Sequence, residues 1–408
     1  ISLGLVGSEM CIRDRHYIAH TYIVSSMEEI VRYTYRLRPG AQAKHALLQE
    51  WGRCRFLWNE AVHQQKIGNK PTLAKLGKLL TEARKNNAWI REGSQVAQQT
   101  TLRNYAQSLQ HSFTIKGRGK PRFKSKKRTL PSLEYSTRGF SIRDDRLRLA
   151  KGVSIPVVWS RELPSPPTSV RIYQDSLGHW YASFVVRRER EQAPDTDAGI
   201  GIDWGVSTTA TTTDKKYDLP YLGHRKRCAA ELAKAQRKMA RRYRKGGKQS
   251  NGYKRARREA AKLHKKASRQ TRHVSRTWAK KVTDHHDLIA VEDFKPTFLA
   301  KSTMARKAAD AAIGAAKREL INSAERAGRK VVLVKPAHTT MTCSECFARA
   351  KQPLELGERT FRCEACGHTA GRDRNAARMI LAVAERGHTS VEDMRHVQPP
   401  SGDVVHAV

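Results

Sequence analysis

The sequence predicts an α/β domain interrupted by a four-cysteine metal site and preceded by a small antiparallel β-barrel that carries a helical insertion. Three observations predict it. Between residues 140 and 188, short runs of alternating apolar residues are separated by turn-type residues, the pattern of a small barrel. After a polar linker at 191–197 the grammar changes to apolar strands at 199–204, 288–294 and 331–334, interleaved with helical periodicity, as buried strands of an α/β sheet read. Two C-x-x-C pairs, Cys343/Cys346 and Cys363/Cys366, then interrupt that second part.

Taken in order, residues 1–15 place the apolar and charged parts of a signal peptide in reversed order. They also resemble a translated sequencing-adapter fragment. Residues 1–26 are therefore expected to be a non-native extension, with the protein starting at Met27. Val31, Tyr33, Tyr35 and Leu37 alternate with Arg32, Thr34, Arg36 and Arg38, which predicts a half-buried strand over 30–38. Leu47, Leu48, Trp51, Phe56, Leu57 and Val62 recur at helical spacing, and helical pattern continues to about residue 110, giving an insertion at about 40–112. A basic loop at 116–128 holds eight Lys or Arg. The pairs and triplets Leu147/Leu149, Val153/Ile155/Val157, Val170/Ile172 and Trp180/Ala182/Phe184/Val186 are the inward faces of the barrel strands. The barrel region thus spans 27–190, built from the strand at 30–38 and from 115–190.

In the second part, 199–204 and a β-branched run at 208–213 fit a hairpin. Residues 225–281 contain 23 Lys or Arg and two acids, Glu231 and Glu259. Tyr253, Ala256, Ala260, Leu263, Ala267, Val274 and Trp278 make a narrow apolar seam there, so a basic helical hairpin is predicted, with its break at 245–252. Ser302 is placed as the cap of an Ala-rich helix that runs to Ala327 and stops at Gly328. A last helix is expected from Arg374 to about Arg386, and a disordered tail over 389–408.

Charge bounds the partners. The chain has 408 residues, 39% of them hydrophobic, with 78 Lys and Arg against 38 Asp and Glu for a net charge of +40. That imbalance points to a polyanion, bound by release of condensed counterions. A ribosomal-type protein or an anionic membrane surface are the bland alternatives. No apolar run reaches the roughly 18 residues of a membrane span, so a cytoplasmic, nucleoid-associated prokaryotic protein with no membrane partner is expected. Arg118, Lys120, Arg122, Lys124, Lys126 and Lys127 in the loop, and Arg241, Arg242, Arg244, Lys245, Arg257, Arg258, Lys265 and Lys266 in the hairpin, are the candidate nucleic-acid contacts.

Three acids stand out. Asp203 ends the strand GIDW, Glu292 ends IAVE, and Asp373 opens the last helix in GRDRNAA. Singly, each has an ordinary reading as a turn residue, an exposed strand end or a helix cap. Brought together they would repel one another and be driven towards protonation. Divalent cations resolve that conflict, and two Mg²⁺ ions about 3.5–4 Å apart serve phosphodiester hydrolysis. The cysteines are more specific: the two pairs are 16 residues apart, a spacing suited to tetrahedral, structural Zn²⁺. His285 and His286 lack ligand spacing and are read as surface residues. No G-x-S-x-G, P-loop or H-E-x-x-H motif is present.

GIDWGVSTTATTTD, IAVEDF and CSEC…CEACGHTAGRDRNAARMI, in that order, resemble the RuvC blocks and zinc ribbon of TnpB, the OrfB-type insertion-sequence transposase nucleases, which are similar to compact type V CRISPR effectors. KPRFKSKK, GHWYASFVV and the start YTYRLRPGAQ…GRCRFLWNEAV extend the resemblance from Met27 to about Ala384. It implies an RNase H-like (RuvC) core over 195–342 and 367–388, with the basic hairpin at 225–281 and the ribbon at 343–366. Asp203, Glu292 and Asp373 would be the catalytic, magnesium-binding acids, and Cys343, Cys346, Cys363 and Cys366 the structural zinc ligands. The implied partners are a guide RNA from the transposon end and target double-stranded DNA, the barrel holding both and reading a short flanking motif. The sequence departs from the family at Phe347, where Gly usually follows the first knuckle, and at Gly371, where an acid often precedes Arg-Asp. The helix expected over 302–327 also lacks the aromatic residues common there. The alternatives are a nuclease-inactive RNA-guided DNA-binding regulator, a zinc-ribbon RNA-binding protein, or a transposase acting directly in strand transfer.

Overall fold

The computed structural model describes residues 28–126, 128–189, 193–294, 304–355 and 357–393. The expected extension at 1–26, Lys127, the expected Ser302 cap and all but the first residues of the expected tail lie outside them. The chain forms two compact units, 1–189 and 190–408.

The first unit is built on a seven-stranded antiparallel sheet. Its elements are β1 (Glu28–Leu37), α1 (Ala41–Lys66), α2 (Leu73–Asn86), α3 (Ala88–Arg91), α4 (Gln95–Thr114), β2 (Ser132–Ser136), β3 (Phe140–Arg143), β4 (Arg146–Leu149), β5 (Val153–Val158), β6 (Ser169–Gln174) and β7 (Trp180–Glu189). The strand order is β2-β6-β7-β1-β5-β4-β3. Tyr35 pairs with Ala182 and Leu37 with Trp180, so the apolar faces coincide in register. Residues from both ends of the sheet, Leu133 and Tyr135 with Leu147 and Leu149, meet in one core, which makes the sheet a nearly closed barrel. Asp144 and Asp145, with φ of 52° and 56°, make the tight turn between β3 and β4. The helix α1 serves two cores: Leu47, Trp51 and Cys54 pack on the barrel, while Leu57, Trp58, Ala61 and Val62 pack on α2, α3 and α4.

The second unit holds β8 (Gly199–Trp204), β9 (Thr208–Thr212), β10 (Leu219–Pro220), α5 (His224–Arg227), α6 (Ala229–Arg242), α7 (Asn251–Thr283), β11 (Leu288–Glu292), α8 (Ala305–Ala311), α9 (Ile313–Ala327), β12 (Lys330–Val334), β13 (Thr360–Arg362), β14 (Thr369–Gly371) and α10 (Arg372–Glu385). Its mixed sheet runs β10-β9-β8-β11-β12, with β8, β11 and β12 parallel and β9 antiparallel to β8. Helices α7 and α9 cover the face of Ile200, Ile202, Ile289 and Val291. On the opposite face α10 packs through Met379, Ile380 and Val383 against Ala290 and Val334. Gly201 makes that approach possible: a Cβ there would lie 1.9 Å from the Ala377 carbonyl oxygen.

The basic hairpin is α6 and α7, broken at 243–250, with Ser250 capping α7 through the Tyr253 N–H. Ala256, Ala260, Ala267 and Trp278 form its buried seam. Two readings are corrected. The single helix expected to Ala327 is two helices, parted at Ala312 with φ of 56°. Tertiary bonds compete for the chain there: Thr209 Oγ1 donates to the Ala311 carbonyl at 3.3 Å, and buried Asp310 accepts from Tyr221 Oη and from the N–H groups of Arg225 and Lys226. His286 is buried rather than on the surface; its ring meets Tyr217 edge-on, with centroids 4.6 Å apart.

Candidate active site and metal centre

Side chains alternate along a strand. Asp203 therefore shares the face of Gly199 and Gly201, and Glu292 that of Leu288 and Ala290, which is the face α10 covers. Ile202 pairs with Val291 in parallel register, so Asp203 and Glu292 end neighbouring strands whose backbones lie about 4.8 Å apart. Asp373 sits in the first turn of α10. Topology thus brings acids 170 positions apart in sequence (203 to 373) to one end of one sheet.

Both strand-end acids are buried, each with 7% of its surface exposed. Burial, then the charges of Glu292 and Asp373, push the Asp203 carboxyl well above the usual range, with Arg372 opposing. Burial pushes Glu292 up to about 7, against the Trp204 N–H and the Lys317 ammonium. Asp373 is less enclosed and stands 3.7 Å from Arg359. Among the described residues, the four cysteines are the one group of three or more His, Cys, Asp or Glu gathered closely enough to share an ion; Asp203 feels the charges of both other acids, but the three do not close to that spacing.

Groups that sequence reasoning missed brace this corner. Trp204 Nε1 donates to the Glu292 carbonyl at 3.2 Å, tying the ends of β8 and β11. Lys317 on α9 donates to the same carbonyl at 3.2 Å and to Asp293 at 2.8 Å. Arg374 joins α10 to the carbonyl of Thr212, the last residue of β9, and to Asp218 beyond it. Trp204 lies inside the GIDWG run; nothing in the sequence marks Lys317.

The cysteine cluster fits its predicted ion. Zn–S bonds of about 2.3 Å at tetrahedral angles put sulfurs roughly 3.8 Å apart. The Cys343 and Cys366 Sγ atoms are 3.8 Å apart, and those of Cys346 and Cys363 3.5 Å. The thiols crowd one another: the Cys366 and Ala365 N–H groups hold the Cys363 thiol down, at about 7, while burial pushes Cys343 up and the neighbouring thiols push Cys366 up to about 12, a conflict that a bound cation would relieve. The two knuckles repeat one geometry. The Cys343 N–H donates to the Ala348 carbonyl and the Phe347 N–H to the Cys343 carbonyl; the Cys363 N–H donates to His368 and the Gly367 N–H to Cys363. Phe347, with φ of 60°, adopts the left-handed conformation that Gly367 adopts with φ of 74°. The first knuckle therefore keeps its turn without the family's glycine, at a cost of about 1–2 kcal/mol. The Phe347 ring recovers part of this by packing beside the α10 core, with Arg386 4.3 Å from its centroid.

The basic candidates divide. Arg241, Arg242, Arg244, Lys245, Arg257, Arg258 and Lys266 are exposed and Lys265 half-buried; in the loop, Lys120, Arg122 and Lys126 are exposed. Arg118 is half-buried and contacts His111 at 3.0 Å. Lys124 turns inward: its ammonium lies 3.3 Å from the Trp58 ring centroid, and burial pulls it down to about 8. Asn59 clamps the Lys124 backbone with bonds of 2.7 and 3.1 Å, so Lys124 anchors the loop to α1 instead of presenting a free charge.

Three family models match the chain: "Probable transposase" (OrfB, IS605) over 183–302, "Helix-turn-helix domain" of the same group over 27–67, and "Cas12f1-like, TNB domain" over 314–380. Residues 28–66 form a strand and one long helix rather than two helices. A Streptomyces pristinaespiralis protein named "Putative RNA-guided DNA endonuclease" is 30% identical over 372 residues, covering 88% of this chain and 90% of its own length. The Escherichia coli (strain K12) "Putative RNA-guided DNA endonuclease InsQ" is 27% identical, covering 88% and 93%. A solved structure described as "Cryo-EM structure of the Cas12f1-sgRNA-target DNA complex" superposes with a TM-score of 0.54 at 12% identity, covering 87% of this chain and 99% of that one; the likeness is one of fold.

Proposed function

The chain belongs to the IS605 OrfB-type transposase family, whose relatives carry the name RNA-guided DNA endonuclease, and on that premise we propose that it cuts DNA phosphodiesters at sites selected by a bound guide RNA. The observation that carries this reading is the pair of buried carboxylates, Asp203 and Glu292, ending adjacent parallel strands with Asp373 opening the helix laid over them. The mixed sheet with its antiparallel β9 beside three parallel strands supports an RNase H-like, RuvC assignment.

Asp203, Glu292 and Asp373 would hold the divalent ions, Mg²⁺, which supply charge neutralisation for the phosphate and polarise water. The protein's own part is to keep these acids together at a cost. The raised pKa values of Asp203 and Glu292 mean that a proton occupies this pair near neutrality unless a cation replaces it. Lys317 and Trp204 fix the Glu292 strand end, and Arg374 fixes the start of α10. The exposed Arg and Lys of α6 and α7 would bind phosphates without reading bases. The barrel unit would hold the guide and target duplex and read a flanking motif, while base pairing reads sequence. Cys343, Cys346, Cys363 and Cys366 would hold a structural Zn²⁺ with no catalytic part.

The test is purification with co-expressed transposon-flanking DNA, sequencing of the retained RNA, and cleavage of a plasmid library with a randomised flank. Alanine at Asp203, Glu292 or Asp373 should abolish cutting and leave complex formation intact, and chelation should stop the wild type. Cutting that persists in all three variants, or without any divalent ion, removes the proposed mechanism.

A further inference from the structure

Asn375 is wholly buried in the first turn of α10, two residues after Asp373. A polar side chain so near a helix start is ordinarily solvated; this one is fully committed. Its Nδ2 donates to the Thr342 carbonyl at 2.8 Å, and its Oδ1 accepts the Ser344 N–H at 2.9 Å. Those partners are the residues on either side of Cys343. One needs a donor and the other an acceptor, so only one orientation of the amide satisfies both. Leaving either group unpaired would forfeit its hydrogen bond and leave a desolvated polar atom behind.

The same helix meets the same knuckle again at its other end, where Phe347 packs beside the α10 core against Arg386. Between the two, β14 runs directly into α10, and the Arg372 N–H donates to the Arg359 carbonyl. The cysteine cluster and the turn bearing Asp373 are therefore one hydrogen-bonded body.

We propose that Asn375 is the positioning residue through which the metal-bound Cys343 knuckle holds Asp373 in place. The proposal rests on the nuclease reading for its consequence but not for its geometry. With the ion bound, Cys343 is fixed, and the amide passes that constraint to the turn of Asp373. With the ion removed, Thr342 and Ser344 shift together and the turn loosens. A merely structural Asn375 would support stability without linking zinc to Asp373.

The experiment uses the full chain with its retained RNA and compares wild type with Asn375→Ala, each zinc-loaded and zinc-stripped. Amide hydrogen exchange is followed over 372–380, beside the cleavage rate at saturating DNA and Mg²⁺. Stripping wild type should raise exchange across 372–380. Asn375→Ala should show the raised exchange with zinc still bound, and stripping should add nothing further. Its cutting rate should fall by about a hundredfold, as ångström-scale misplacement of a reacting group does, with DNA affinity unchanged. Asn375→Ser keeps a short hydroxyl able to pair with only one of the two flanks of Cys343; it should show a smaller rise in exchange, and it stands in if the alanine variant does not fold. Wild-type exchange in zinc-bound Asn375→Ala, or no response of 372–380 to stripping, overturns the proposal. If the wild type cuts no DNA, the nuclease reading fails and the exchange measurements still decide the linkage.

Discussion

Arg374 grips Asp218 with both terminal nitrogens, Nη1 3.0 Å from Oδ1 and Nη2 2.7 Å from Oδ2. Asp218 also accepts the Thr212 N–H at 2.8 Å and Oγ1 at 3.1 Å. One ion pair thus fastens the helix carrying Asp373 to the hairpin next to Asp203.

Lysine cannot reproduce that fork. Arg374→Lys should lower stability by about 1–3 kcal/mol, read from the denaturant midpoint. In a double-mutant cycle with Asp218→Asn the two losses should overlap substantially. Full additivity would mean the pair contributes nothing as a pair.

The raised acids predict an unusual pH response. Glu292 rises from 4.5 to about 7 on folding, so the folded state holds its proton more tightly than the unfolded one. That contribution is present below the unfolded value and is lost as pH climbs through about 7. In metal-free protein it amounts to about 3 kcal/mol. Glu292→Gln should flatten the fall in melting temperature between pH 4.5 and 7, and Mg²⁺ should restore stability to the wild type but not to the variant. An unchanged pH profile in Glu292→Gln would refute the assignment.

At Gly201 the obstacle is backbone, since the added methyl would meet the Ala377 carbonyl at 1.9 Å. Gly201→Ala should cost about 1–3 kcal/mol and displace α10, reducing cleavage more than RNA retention. Wild-type activity with unchanged melting would show that the helix tolerates the shift.

The division among the basic residues is measurable by salt. Replacing Arg257 and Arg258 with Gln should lower the slope of log K against log salt by about 0.9 for each duplex phosphate no longer neutralised. Lys124→Ala should leave the slope alone and lower the melting temperature, because its ammonium is spent on Trp58. A slope change from Lys124→Ala would return it to the nucleic-acid surface.

Much of this was legible because it depends on local period. Alternation marked the inward faces of the barrel strands, and apolar runs ending in an acid marked β8 and β11. Spacing marked the cysteines. What was not legible depends on long-range partners. Lys317 is one lysine in a helix rich in charge, and only the approach of Glu292 gives it a task. The break at Ala312 arises because Asp310 and the Ala311 carbonyl are claimed by residues 85 and 102 positions away. Asn375 sits within the GRDRNAA run, yet its two bonds to the flanks of Cys343 required the ribbon and the helix to be seen together. Lys124 read as one charge in a basic run, and its turn inward followed from Trp58 and Asn59 on α1.

The approach of Gly201 to Ala377 joins the first strand of the second unit to the last helix of the described chain. Domains form from the amino end as the ribosome delivers them, so the β8 and β11 acids emerge and stay bathed in water until α10 arrives to cover them. A nascent or prematurely terminated polypeptide would therefore carry the barrel unit proposed to hold the guide but leave the strand-end acids uncovered, and any such fragment that captured RNA would compete with the full-length chain for it.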